Sequence, residues 1–188
     1  MTMLFALIGS SGSGKTTVGE TLFGKEREIV SFTTRPQRVN EVDGIDYHFM
    51  SLEGFNDALG NNQLIEYSKY SDNYYGITKS ELDSKLAMGN SYVVIDYNGY
   101  SQIKNLIPND VLGIFVDVNR DTVKERLLER NETEDFIAKR MSLFDEEQLL
   151  KDKVDYILDN NGSLASTIEN FRVIIRPLLL KDLEKALD

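Results

Sequence analysis

An apolar run, Met3-Leu4-Phe5-Ala6-Leu7-Ile8, stops abruptly at Gly9 and is followed by Ser10-Ser11-Gly12-Ser13-Gly14-Lys15-Thr16-Thr17. The run is continuously apolar rather than alternating, which predicts a strand buried on both faces. Gly9 and Gly14 bracket four residues, and Lys15 and Thr16 follow, giving the spacing G-x-x-x-x-G-K-[ST]. Glycines let the backbone turn tightly and come close to a ligand. A segment able to be helical, 16–23, comes next. The N–H groups of Gly9, Ser10, Ser11, Gly12, Ser13, Gly14, Lys15, Thr16 and Thr17 then surround one point at a helix N-terminus, a ready anion site. Lys15 is long enough to reach β- and γ-phosphates, and the Thr16 hydroxyl suits Mg²⁺. A plain Gly/Ser turn is the competing reading. The strand before it and the helix after it favour the phosphate loop.

The chain has 188 residues, which favours one domain with room for a real core. Acidic residues number 31 against 21 basic, a net charge of −10, which argues against a nucleic-acid binder. A phosphate site in such a chain must gather its cations locally. There are no cysteines, so no disulfide or zinc–thiolate site, which fits a cytoplasmic protein. The N-terminal apolar run is short and has no basic leader, so a strand is expected and not a signal peptide. No apolar stretch is long enough to span a bilayer, and no membrane partner is expected.

The predicted order is a strand at 3–8, a helix to about 23, and a strand at 28–34. Residues 35–78 have a different texture, with apolar content dominated by Tyr47, Phe49, Phe55, Tyr67, Tyr70, Tyr74 and Tyr75. Short strands at 45–50, 64–70 and 74–77 and a helix near 52–59 suggest a small α+β insertion. Strand and helix then alternate: helix 79–88, strand 91–96 ending in Asp96, helix 100–107, strand 111–118, helix 120–130. A helix capped by Thr133 carries the stripe Ile137, Met141 and Phe144. A strand at 156–158 and a helix from 164 to about 183, kinked near Pro177, close the chain. Such alternation implies an α/β fold with a mainly parallel sheet covered by helices on both faces. The expected division is a core at 1–34 and 79–188, an insertion at 35–78 and a helical lid at about 126–142.

Arg35 and Arg38 stand three apart just past the predicted strand, with Tyr47 further on. Two guanidiniums converging on one phosphate would give bidentate recognition, and a tyrosine hydroxyl could add a third bond. Taken alone, R-x-x-R is more often two solvated arginines.

Around that pair, Ser31-x-Thr33-Thr34-Arg35-x-x-Arg38-x-x-Glu41-x-Asp43-Gly44-x-Asp46-Tyr47-x-Phe49 resembles the GMP-binding segment of guanylate kinases. Leu64-Ile65-Glu66-Tyr67 and Asn73-Tyr74-Tyr75-Gly76 resemble two further motifs of that family, and Val94-Ile95-Asp96-Tyr97-Asn98-Gly99 a fourth. The stretch from Arg126 through Arg130 and Glu134 to Arg140 resembles its lid. The resemblance implies a P-loop nucleoside monophosphate kinase: ATP and GMP, with dGMP as a second acceptor, exchanging a phosphoryl group with Mg²⁺ as cofactor. It implies that Arg35, Arg38, Tyr47 and Tyr75 hold the GMP phosphate, that Ser31 and Glu66 read guanine, and that Asp96 holds the acceptor nucleotide or Mg²⁺ through water. Lys15, Arg130 and Arg140 would meet the transferring group, Arg126 would assist, and Asn160 would contact adenine. Ile77 stands where the family has Ser or Thr, implying one hydroxyl fewer beside the guanine. A monomer or homodimer is expected. Two other readings stay open: a deoxynucleoside monophosphate kinase of wider specificity, and a non-catalytic interaction module.

Overall fold

The structure, a computed structural model, describes residues 2–70, 72–130 and 132–185. Four parallel strands form the main sheet: β1 (Leu4–Ile8), β6 (Ser91–Val94), β7 (Val111–Asp117) and β8 (Tyr156–Asp159), in the order β6-β1-β7-β8. The continuous apolar runs have a direct cause. Leu4, Ala6 and Ile8 of β1 enter one core cluster, and Phe5 and Leu7 enter another. Successive side chains of a strand point to opposite faces, so a strand covered on both sides needs apolar residues throughout.

The first cluster is closed by Leu82 of α3 (Lys79–Ala87) and by Tyr100 and Ile103 of α4 (Tyr97–Leu106). The second is closed by Val18 of α1 (Lys15–Phe23) and by Ile168 and Phe171 of α7 (Leu164–Lys185). Helices therefore cover both faces, as the alternating pattern predicts. A third cluster joins Val123 and Leu127 of α5 (Arg120–Glu129) to Ile137, Met141 and Phe144 of α6 (Glu134–Gln148). Thr133 caps α6, its hydroxyl accepting the Phe136 N–H at 3.3 Å.

A second sheet, in the order β3-β2-β5-β4, holds β2 (Phe32–Thr33), β3 (His48–Phe49), β4 (Leu64–Tyr70) and β5 (Asn73–Thr78). Strands β4 and β5 run antiparallel, and α2 (Leu52–Gly60) precedes them. The single strand expected at 28–34 serves both sheets. Glu28 bridges Tyr92 of β6, and the Ile29 N–H donates to the Tyr92 carbonyl at 2.8 Å. Phe32 and Thr33 then pair with β3 and β5. Ser31 is the crossing point between sheets.

Two other expected strands are shorter. In 45–50 only His48 and Phe49 form a strand, and Tyr47 makes an isolated bridge to Asp43. Asp46 and Asp43 carboxylates instead accept the Val42 and Phe49 N–H groups, at 2.7 and 2.9 Å. Such local side-chain bonds compete with a sheet ladder. The strand expected to reach Asp96 ends at Val94, because Asp96 caps α4 and accepts the Gly99 N–H at 2.8 Å. Helix α7 includes Pro177 within its span, so of the kink or interruption expected there the interruption does not occur.

Candidate active site

The phosphate loop joins β1 to α1 at the C-terminal edge of the main sheet. Gly9 has φ 139°, and a Cβ there would lie 2.7 Å from the Val116 carbonyl oxygen, so the turn requires glycine. Lys15 folds over the loop and its Nζ donates to the Gly9 and Ser10 carbonyls at 2.7 and 2.8 Å. Burial lowers its pKa to about 8; Glu147 opposes that shift, and Arg140 and Arg130 add to it. The hydroxyls of Ser10 and Ser13 are buried without a hydrogen-bond partner.

A cleft of about 430 Å³ lies between the two sheets and α6. Gly9, Ser11 and Lys15 line it from the phosphate loop. Ser31, Arg35, Arg38, Tyr47, Glu66, Tyr75 and Asp96 line it as well, and so does Arg140 of α6. The chain carries an excess of acid, yet Lys15, Arg35, Arg38, Lys139 and Arg140 gather on this one surface.

Glu41 organises the arginine end. Its Oε1 accepts Arg35 Nη2 at 2.6 Å, and its Oε2 accepts the Arg38 N–H at 2.9 Å. The Arg35 guanidinium also lies over the Tyr47 ring, 5.4 Å from its centroid. Tyr47 and Tyr75 pack edge to face at 5.8 Å. Glu66, also in the lining, is only 4% exposed. Burial first and the Asp96 charge second raise its pKa to about 8, the Ile77 N–H partly offsetting them. His48 stacks on Phe32 at 4.5 Å, and it is not among the lining residues.

A family model described as guanylate kinase matches residues 1–177. The chain belongs to the guanylate kinase family. It is 35% identical to a guanylate kinase of Hydrogenovibrio crunogenus, over 97% of this chain and 92% of that protein. It is 32% identical to a guanylate kinase of Oceanobacillus iheyensis, over 95% of this chain and 89% of the other. The fold matches the crystal structure of guanylate kinase from Anaplasma phagocytophilum with a TM-score of 0.72 and 24% identity, covering 94% of this chain and 85% of that one. As a member of this family the chain is a nucleotide kinase, an enzyme.

Some residues singled out in the sequence stand elsewhere. Arg130 is exposed at the C-terminus of α5, and Thr16 is exposed on the first turn of α1; neither is among the residues lining this cleft. Arg126 donates to the Gly12 and Ser13 carbonyls of the phosphate loop, at 3.4 and 3.3 Å. Asn160 is 5% exposed, with its amide turned onto that loop. Ile77 is fully buried in the first core cluster, and Thr78 caps α3. The position that a family hydroxyl would occupy is therefore part of the packing under the cleft.

Lining residues to which the sequence reading gave no role include Ser68, Asn73, Phe136, Lys139 and Glu147. Strand alternation could have found the first two. Ser68 shares a face with Glu66, and it pairs with Tyr75, two residues from Asn73. Glu147 lies seven residues after Arg140, on the same face of α6.

Proposed function

We infer that this chain transfers the γ-phosphoryl group of ATP to GMP, giving ADP and GDP, and that dGMP serves as a second acceptor. The observation that carries the reading is the cleft itself. The phosphate loop with Lys15 lines the same cleft as a buried carboxylate and two arginines. That combination suits a site for two phosphate-bearing ligands.

The acceptor is already an ionised phosphate, so alignment and charge neutralisation carry the rate rather than a strong base. Arg35, Arg38, Tyr47 and Tyr75 hold the GMP phosphate in this reading. Glu66, ionised, accepts from guanine N1–H and the 2-amino group, and Ser31 donates to O6. Adenine offers neither donor. Lys15 and Arg140 meet the transferring group, with Arg130 brought in when 126–142 closes as a lid over the 35–78 insertion. The Thr16 hydroxyl, exposed beside the phosphate loop, and the Asp96 carboxylate, in the cleft, are hard oxygen donors that fit Mg²⁺. Bound there, it would supply neutralisation of phosphate charge.

No helix of the described residues is long and apolar enough to cross a membrane. Work on free nucleotides in the cytoplasm fits that, and no nucleic acid is a partner in this reading.

The test is a steady-state panel of nucleoside and deoxynucleoside monophosphates with ATP. GMP and dGMP are expected to dominate kcat/KM. Comparable use of dTMP or AMP would replace this reading with a kinase of wider specificity.

A further inference from the structure

Three side chains from separate elements meet behind the phosphate loop. Arg126, on α5, donates to the Gly12 and Ser13 carbonyls at 3.4 and 3.3 Å and to the Asn160 carbonyl at 3.2 Å. Asn160, just past β8, donates from Nδ2 to the Ser13 carbonyl at 2.6 Å. Its Oδ1 accepts the hydroxyl of Thr167, on α7, at 2.8 Å. Asn160 and Thr167 are 5% and 1% exposed. Both ends of the Asn160 amide are therefore engaged inside the protein.

The Ser13 carbonyl is thus held by two donors at once. In a trans peptide the C=O and N–H point to opposite sides. Holding this carbonyl toward α5 and β8 turns the Gly14 N–H the other way, toward the concave side of the loop. Gly14 begins α1 with φ 93°, and a Cβ there would come 2.6 Å from Asn160 Nδ2. The backbone and the amide fit together only when residue 14 has no side chain.

We propose that Arg126 and Asn160, with Thr167 behind them, are positioning residues that orient the peptide between Ser13 and Gly14 for the donor's phosphates. This rests on the reading of residues 9–16 as the donor-phosphate site. It replaces an adenine contact by Asn160 with a role that is blind to the donor's base. It also ties the loop to α5, the helix that leads into residues 126–142.

The test compares wild type with Asn160→Ala, Arg126→Ala and Thr167→Val by calorimetric titration with ATP and with inorganic tripolyphosphate, alongside steady-state kinetics. Both ligands should weaken by the same factor, about tenfold in the alanine variants, the scale of one lost charged or well-oriented hydrogen bond. Thr167→Val should give a smaller parallel loss. KM for ATP should rise while KM for GMP holds. ATP weakened with tripolyphosphate unchanged would make Asn160 a base contact and overturn the proposal. Unchanged affinities in all three variants would overturn it too, with the donor site left standing. Wild-type protein that binds neither ligand would remove the donor site and the proposal together. Thr167→Val deletes one hydroxyl at nearly constant shape, so the comparison survives even where an alanine variant does not fold.

Discussion

The Glu66 carboxylate occupies space that Gly99 leaves open: a Cβ at Gly99 would stand 2.7 Å from Glu66 Oε2 and 2.6 Å from Ile95 Cδ1. Gly99 lies in the first turn of α4, where its N–H is also held by Asp96. An insertion of this kind into a packed site forces neighbouring side chains off their rotamers. Gly99→Ala should therefore displace Glu66 and raise KM for GMP about tenfold or more, on the scale of a 1.4 kcal/mol loss. KM for ATP should hold. Equal GMP kinetics in the variant would show that Glu66 does not depend on this contact.

The buried Glu66 carboxyl makes both stability and binding depend on pH. Its folded pKa, about 8, is raised above the ordinary carboxylate value of 4.5. The folded state binds this proton more tightly than the unfolded state. The contribution to stability is fully present below about 4.5 and is lost as pH rises through about 8. Glu66→Gln should flatten that dependence and be the more stable protein above pH ~8. Under the proposed Glu66–guanine contact, recognition needs the ionised form, so wild-type GMP affinity should rise between pH ~7 and ~8.5, with proton release seen as buffer-dependent heat. The second ionisation of GMP phosphate, near ~6, is complete in this window. Glu66→Gln should bind GMP more weakly and without that slope. A pH-independent wild-type affinity would mean that the carboxyl is already ionised in the free protein.

Ile77→Ser looks from the sequence like restoration of a guanine contact. In the structure it removes a fully buried side chain from the core. Truncating a buried Ile costs roughly 2–5 kcal/mol, and the new hydroxyl adds a buried polar group. A clear fall in the midpoint of chemical denaturation is expected. An unchanged midpoint would show that the site relaxes to admit the hydroxyl.

Lys15 lies over the loop carbonyls with its pKa lowered to about 8. The cationic form is the useful one. Thus kcat/KM for ATP in the free enzyme should fall as pH rises through about 8. The ATP complex should hold the proton to higher pH, because the phosphates stabilise the cation. Lys15→Met should lower kcat by roughly 10³, the upper range for losing one electrostatic group, with folding intact by circular dichroism. A variant with near-normal kcat would remove Lys15 from the transferring phosphate.

Much of the site was legible because its chemistry is local in sequence. The phosphate loop is one uninterrupted stretch, and the spacing from Ser31 to Phe49 carries a second recognisable pattern. The buried strands were equally plain, since a sheet covered on both faces demands continuous apolar residues. Elements that failed did so where polar side chains had a choice. Asp96 caps a helix rather than ending a strand, and Asp43 and Asp46 hold a turn where pairing was expected.

Residue order alone determined the α/β architecture and the phosphate loop, and a family resemblance pointed to Lys15, Arg35, Glu66 and Tyr75 as parts of one site. Those signals are periodicity, motif spacing and resemblance, and they survive without coordinates. Folding in three dimensions decided the rest. It buried Ile77, set Glu147 across from Lys15, and turned Asn160 away from the open cleft onto Ser13. Asn160 and Ser13 lie 147 residues apart. A polar side chain goes to whichever buried backbone group still needs a partner, and that depends on which strands and helices become neighbours.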